Sequence, residues 1–155
     1  MPEPIDLTQE FEGWSPNIYH DTEGIPTIGY GFNLLDAMVK SLIPEDVQSG
    51  KRKLTKEEAD PIFRALYERA GQDAENIFGE QFSSYPPAAQ TVFTDMSYNL
   101  GANRLDDFVK MIAAAQSQDW ANVSKEMEDS KWYNQVGNRS KTLQEMINLL
   151  NKRGK

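Results

Sequence analysis

The chain has no cysteine and a single histidine, His20, among its 155 residues. Without thiols, disulfides and thiolate metal sites are excluded, and any redox compartment is tolerated. One imidazole argues against a His-based zinc site and against a Ser-His-Asp triad. Basic residues are also few: 16 Lys and Arg stand against 24 Asp and Glu, a formal net charge of −8. Nucleic-acid binding needs a basic stripe, which this balance disfavours. No apolar run is long enough to span a membrane, and no basic segment leads into a short apolar one, so no secretion signal is expected. What is present is an ordinary globular composition, 39% hydrophobic and 26% charged, at a length that suits one folding unit built in one or two lobes.

The informative stretch runs from Phe11-Glu12-Gly13-Trp14 to Gly29-Tyr30-Gly31. It holds an acid at Glu12, a second at Asp21 and a hydroxyl at Thr27. Glu12 falls at the end of a short helix, over about residues 3–12, stopped by Gly13 and Pro16. Ile18-Tyr19 is β-prone, Asp21-Thr22-Glu23-Gly24 reads as a tight turn, and Thr27 through Phe32 reads as the return strand. Gly29 and Gly31 stand where backbone or ligand approaches closely. Asp21 and Thr27 then lie near each other across a hairpin. Two carboxylates and a hydroxyl brought together suit glycoside hydrolysis, in which one acid protonates the leaving oxygen and the other supports attack by water.

Further along, a third short strand or loop ends near Leu35, and residues 36–54 are poorly patterned. Asp36 to Lys40 suits a helical turn, whereas Ile43-Pro44-Glu45 and Ser49 to Lys53 read as loop. Thr55 and Glu58 form a capping box for a helix from about 56 toward 71 or 77, with Pro61 as a possible kink. After the break at Ser83 to Pro87, a buried helix over 87–100 ends at Gly101. Helices are expected to begin at Leu105-Asp106-Asp107, carrying Phe108, Met111, Ile112 and Ala115, and at Asp119-Trp120, with a last one over about 138–152. This order is α+β: a small lobe with the hairpin, then a helical lobe.

Glu12, Asp21 and Thr27, set within Ile18-Tyr19-x-Asp21-Thr22-Glu23-Gly24-x-x-Thr27-Ile28-Gly29-x-Gly31, resemble the T-even phage lysozymes of glycoside hydrolase family 24. Two later blocks agree: Met96-Ser97-Tyr98-Asn99-Leu100-Gly101 resembles the family's aromatic-amide-x-glycine turn, and Lys131-Trp132-Tyr133-Asn134-Gln135-x-x-Asn138-Arg139 its late helical segment. The resemblance spans about residues 5–150. It implies a single lysozyme-like domain over 1–155, with a small α+β lobe of a hairpin or three-stranded sheet at about 13–55 and a helical lobe from 1–12 and 56–155 that includes the connecting helix. It further implies a muramidase that needs no metal or organic cofactor, cutting the β-1,4 bond between N-acetylmuramic acid and N-acetylglucosamine of peptidoglycan. The expected partners are peptidoglycan alone, without nucleic acid or stable membrane association, for a monomer that gathers in the host cytoplasm before reaching the wall. An acidic chain gains no long-range steering toward that anionic wall, where many members of the family are basic.

The resemblance also assigns roles. Glu12 is the general acid, its carboxyl kept protonated by burial or apolar contact. Asp21 is the ionised carboxylate, and Thr27 helps hold a water on the far face, for an inverting reaction with carboxylates about 6.5–9.5 Å apart. Arg139 matches the family's late arginine, which faces the catalytic Glu and serves to position and hold the lobes. Tyr98 and Asn99 match a cleft-lining pair, Met111 a cleft-edge side chain, and Glu23, Gly31 and Asn33 lie where substrate is bound. Simpler readings stand beside these: a solvent-facing Glu12, an Asp21 serving its turn, an ordinary strand Thr27, a wet Glu23, a surface Arg139, a core Tyr98 and a C-terminal capping Asn99. Trp132 and Tyr133 read as core. Phe32 and Asn33 stand where many members have His after the second glycine, which alters lobe contacts and sugar contacts rather than the acid chemistry. A silent wall-binding or virion structural module, and a hydrolase of another sugar polymer, are the competing functions.

Overall fold

The computed structural model describes residues 3–153, and side chains to residue 152. The chain divides into two compact units, Met1–Glu68 and Arg69–Lys155.

In the first unit, α1 (Pro4–Glu12) has proline at its first position, and the Glu3 amide donates to the Asp6 carboxylate at 3.1 Å. Gly13, at φ 71°, ends it, so Glu12 is its last residue, as expected. Three antiparallel strands follow in the order β1 (Ser15–His20), β2 (Pro26–Gly29), β3 (Phe32–Asn33). Between the pairs Ser15–Gly29 and Tyr19–Thr27, β1 advances from 15 to 19 while β2 moves only from 29 to 27. This irregularity contains Pro16, which has no amide to give the ladder and whose carbonyl instead accepts from Leu54 N at 2.9 Å.

Register fixes the faces. Ile28 pairs with Phe32, both about 1% exposed, and this face joins the core with Leu34, Val39, Val47, Leu54 and Phe63. Thr27 pairs with Tyr19 on one side and Asn33 on the other, so Tyr19, Thr27 and Asn33 make a row across the opposite face. The expected return strand through Phe32 is corrected here. Gly29 and Gly31, at φ 68° and 73°, turn the backbone out of β2, and Phe32 opens β3.

Asp36 caps α2 (Ala37–Leu42), its carboxylate accepting from Met38 N and Val39 N. The Ile43-Pro44-Glu45 loop reading holds for Ile43 and Pro44 and is corrected at Glu45, which opens a short helix, α3 (Glu45–Gln48), with Pro44 at its cap. Gln48 Nε2 donates to the Lys40 and Ile43 carbonyls at 2.9 and 2.7 Å, satisfying oxygens left by the end of α2. The capping box ahead of α4 (Lys56–Phe78) forms as expected: Glu58 N to Thr55 Oγ1, and Thr55 N to Glu58 Oε1, both at 3.1 Å. Arg52 grips Glu58 through two bonds of 2.8 Å, and this holds the Glu58 carboxyl down to about 2. The helix runs through Pro61 without interruption; one lost hydrogen bond is outweighed by burial of Ile62, Phe63 and Leu66. The boundary between the units falls within this helix.

The second unit is helical. A 3₁₀ turn (Glu80–Ser84) leads to α5 (Pro87–Leu100), whose residues Val92 to Ser97 are all buried. An aromatic cluster packs beside it, with Phe78 stacked on Phe93 at 4.1 Å and Tyr85 edge-on to Trp120 at 5.5 Å. Gly101, at φ 82°, ends α5 and at once starts α6 (Ala102–Asp106). The single helix expected from Leu105 is therefore two: Asp107 and Phe108 break it, and α7 spans Val109–Gln116. Then come α8 (Trp120–Glu128), capped by Asp119, α9 (Lys131–Val136), capped by Ser130, and α10 (Asn138–Arg153). Among the described residues no helix is long and apolar enough to cross a membrane.

Candidate active site

Glu12, Asp21, Thr27, Glu23, Gly31 and Asn33 all belong to the first unit. Glu12 is half-buried at the end of α1, against Gly31. A Cβ placed on Gly31 would stand 2.9 Å from Glu12 Cδ and closer still to Oε1, and Gly31 also holds a positive φ. Only glycine lets the β2–β3 turn come this near the carboxyl. In Gly31→Ala the movable partner is the Glu12 carboxyl, which must swing away. The positive φ costs about 1–2 kcal/mol of stability, while displacing an acid by about 1 Å costs on the order of 10²-fold in turnover. Measured kcat/KM should thus fall far more than the melting temperature accounts for.

Asp21 follows β1 directly. Its Oδ1 accepts from Glu23 N at 2.8 Å and Ile25 N at 2.9 Å, while Asp21 N donates to the Ile25 carbonyl and Gly24 N to the Asp21 carbonyl. The turn-forming role read from the sequence is thus filled by one oxygen. With Oδ1 tied to the loop, the carboxylate plane is set and Oδ2 is left for other work. Glu23 is exposed and gives its amide to that same carboxylate.

Thr27 is 5% exposed, and its Oγ1 donates to the Ile25 carbonyl at 2.8 Å. A carbonyl only accepts, so the hydroxyl proton is committed there and the Thr27 lone pairs are what the site is offered. Asn33, beside Thr27 in the row, uses Oδ1 to accept from Leu35 N at 2.8 Å, which leaves its amide N–H groups as donors. Tyr19 completes the row on the other side of Thr27. Its phenol is raised above the ordinary tyrosine range, first by burial and then by the charges of Glu12 and Asp21. Sequence reasoning passed over Tyr19 as a β-forming residue; its pairing with Thr27 is the signal that finds it.

Tyr98, Asn99, Met111 and Arg139 belong to the second unit. Asn99 is not a helix cap: its Oδ1 accepts from the indole Nε1 of Trp132 at 2.9 Å, and Trp132 is core, as expected. Tyr98 is half-buried next to it. Met111 is 1% exposed, and with Phe108, Trp132 and Gln135 it lines a cavity of about 530 Å³ whose rim carries Lys110 and Glu126. Arg139 is not a surface arginine, because Nε donates to Asp95 Oδ1 at 2.9 Å with the two side chains 8% and 0% exposed. A cation in the first turn of α10 opposes the helix dipole, and the buried Asp95 on α5 compensates it. The sequence reading did not single out Asp95. Among the described residues no group of three or more His, Asp or Glu is arranged to hold a metal ion.

The phage lysozyme family model matches residues 9–154. The chain belongs to the phage lysozyme family. It is thus a glycoside hydrolase by family, built on the lysozyme-like α+β fold. It is 25% identical over 148 residues to a probable T4-type lysozyme of Dictyostelium discoideum, covering 87% of each chain, and 23% identical over 148 residues to a second one. It is also 24% identical over 147 residues to the pre-baseplate central spike protein Gp5 of Enterobacteria phage T4, covering 87% of this chain but 26% of that protein. The chain spans about a quarter of the spike protein's length.

Proposed function

We propose that this lysozyme is a muramidase that hydrolyses the β-1,4 bond between N-acetylmuramic acid and N-acetylglucosamine in peptidoglycan with inversion. Glu12 gives its proton to the leaving glycosidic oxygen as that bond breaks. A water bonds to the anomeric carbon from the opposite face and passes its proton to Asp21. The observation that carries this reading is that Asp21 and Thr27 are both anchored on Ile25, one at its amide and the other at its carbonyl. One has an oxygen left over from its turn, the other a hydroxyl whose proton is spent on Ile25, and both are acceptors suited to a water's two hydrogens. Glu23, Gly31, Asn33, Tyr98, Asn99 and Met111 are the proposed substrate-binding residues, and Arg139 is a supporting residue.

Product stereochemistry tests the reaction. Proton spectra taken in the first minutes of digestion should show the α-anomer at new muramic acid reducing ends. The β-anomer as first product would mean a retaining mechanism, and new ends on glucosamine would mean a different bond. The similarity to the spike protein supports a second reading, a virion component. The retained Glu12, Asp21 and Thr27 favour an active enzyme in that setting as well.

A further inference from the structure

We propose that Tyr19 is a substrate-binding residue of this site, its phenolic O–H donating a hydrogen bond to the sugar held between Glu12 and Asp21. The proposal rests on the muramidase reading and adds a residue to it.

The geometry comes from the sheet. Tyr19 is the direct cross-strand partner of Thr27, so the two side chains leave the same face as neighbours, and Asn33 extends the row by one strand. Two residues after Tyr19, the chain places Asp21, whose carboxylate is anchored by the Glu23 and Ile25 amides. Tyr19 is 40% exposed, in contrast to Thr27 at 5%, so it is open to a ligand at this face. Its Oη makes no hydrogen bond among the described residues. A tyrosine kept for packing would bury its ring, and one kept for structure would spend its hydroxyl. Tyr19 does neither.

Its charge environment fits the role. Partial burial together with the fields of Glu12 and Asp21 disfavours the phenolate and favours the neutral donor. The two carboxylates are committed to proton transfer and Thr27 offers lone pairs. A neutral donor beside them supplies what the acids and the hydroxyl do not, a hydrogen for a sugar hydroxyl or acetamido oxygen.

The test compares wild type with Tyr19→Phe on solubilised peptidoglycan glycan chains, measuring kcat and KM separately, and repeats the comparison as calorimetric binding of the same chains in a Glu12→Gln background. Removing one neutral hydrogen bond should lower kcat/KM and weaken binding by about three- to tenfold, with the melting temperature and the shape of the pH profile unchanged. Equal kcat/KM and equal binding, in an active wild type, would overturn the role of Tyr19 and leave the muramidase reading intact. A drop in melting temperature with binding unchanged would make Tyr19 structural and overturn the proposal too. A wild type that releases no reducing ends would remove the muramidase reading, and this proposal with it.

Discussion

Asp21→Asn should lower kcat by about 10²–10⁴-fold while the protein melts within a degree or two of wild type. Asparagine keeps what the turn needs. Oδ1 of Asp21 holds the turn by accepting from Glu23 N and Ile25 N. An asparagine carbonyl oxygen accepts those same two bonds, so the loop between β1 and β2 has no reason to move. What is lost is the charge and the base at Oδ2. Its replacement is an NH₂ group, which can neither take a proton from water nor stabilise the positive charge of an oxocarbenium-like transition state. Asp21→Ala would remove the turn as well as the base and confuse the two roles. Steady-state kinetics beside a thermal melt separates them, and a wild-type kcat in the asparagine variant would show that Asp21 serves the turn alone.

Asp95→Ala should be the most destabilising of the substitutions considered. Asp95 is fully buried, and its carboxylate accepts from Arg139 Nε at 2.9 Å. Truncation leaves a guanidinium in the interior opposite a cavity. Breaking a buried pair by removing one partner costs about 3–5 kcal/mol. For a chain of this size that corresponds to a fall of roughly 6–20 °C in melting temperature. Asp95→Asn keeps an acceptor for Nε and loses only the charge, so its fall should be smaller. The double variant Asp95→Leu/Arg139→Met removes both charges and should recover much of the loss in stability. Thermal melts of the set check this order, and a single-variant loss as small as a surface pair gives would mean that the pair carries no stability.

What the sequence disclosed and what it withheld have separate causes. Local chemistry was readable: Gly13 ending α1 behind Glu12, the Asp21 turn, the Thr55–Glu58 capping box, and Gly101 closing α5 are each decided by a few neighbouring residues. Faults arose where competing signals overlap. Phe32 looks continuous with β2 because β-prone residues surround it, yet two positive-φ glycines cut the strand. Glu45 looks like a loop residue beside Pro44, although an acid is at home in the first turn of a helix. Phe108 suits a helix by periodicity, but the chain steps out of the helix there before α7. Pairings across long separations were not readable at all. Asp95 lies 44 residues from Arg139, and Asn99 lies 33 from Trp132. Tyr19 was visible as a letter, but its place beside Thr27 depends on a register that includes the irregularity at Pro16.

Glu12 as the acid of a wall-cutting enzyme is checked by following the turbidity of purified peptidoglycan, with assay of new reducing ends, for wild type and Glu12→Gln at equal concentration. Glutamine preserves the shape of the side chain against Gly31 and removes the proton to be donated. Clearing and new reducing ends are expected with wild type, and neither with the variant despite an unchanged melt. Equal clearing by the two proteins would mean that Glu12 is not the acid.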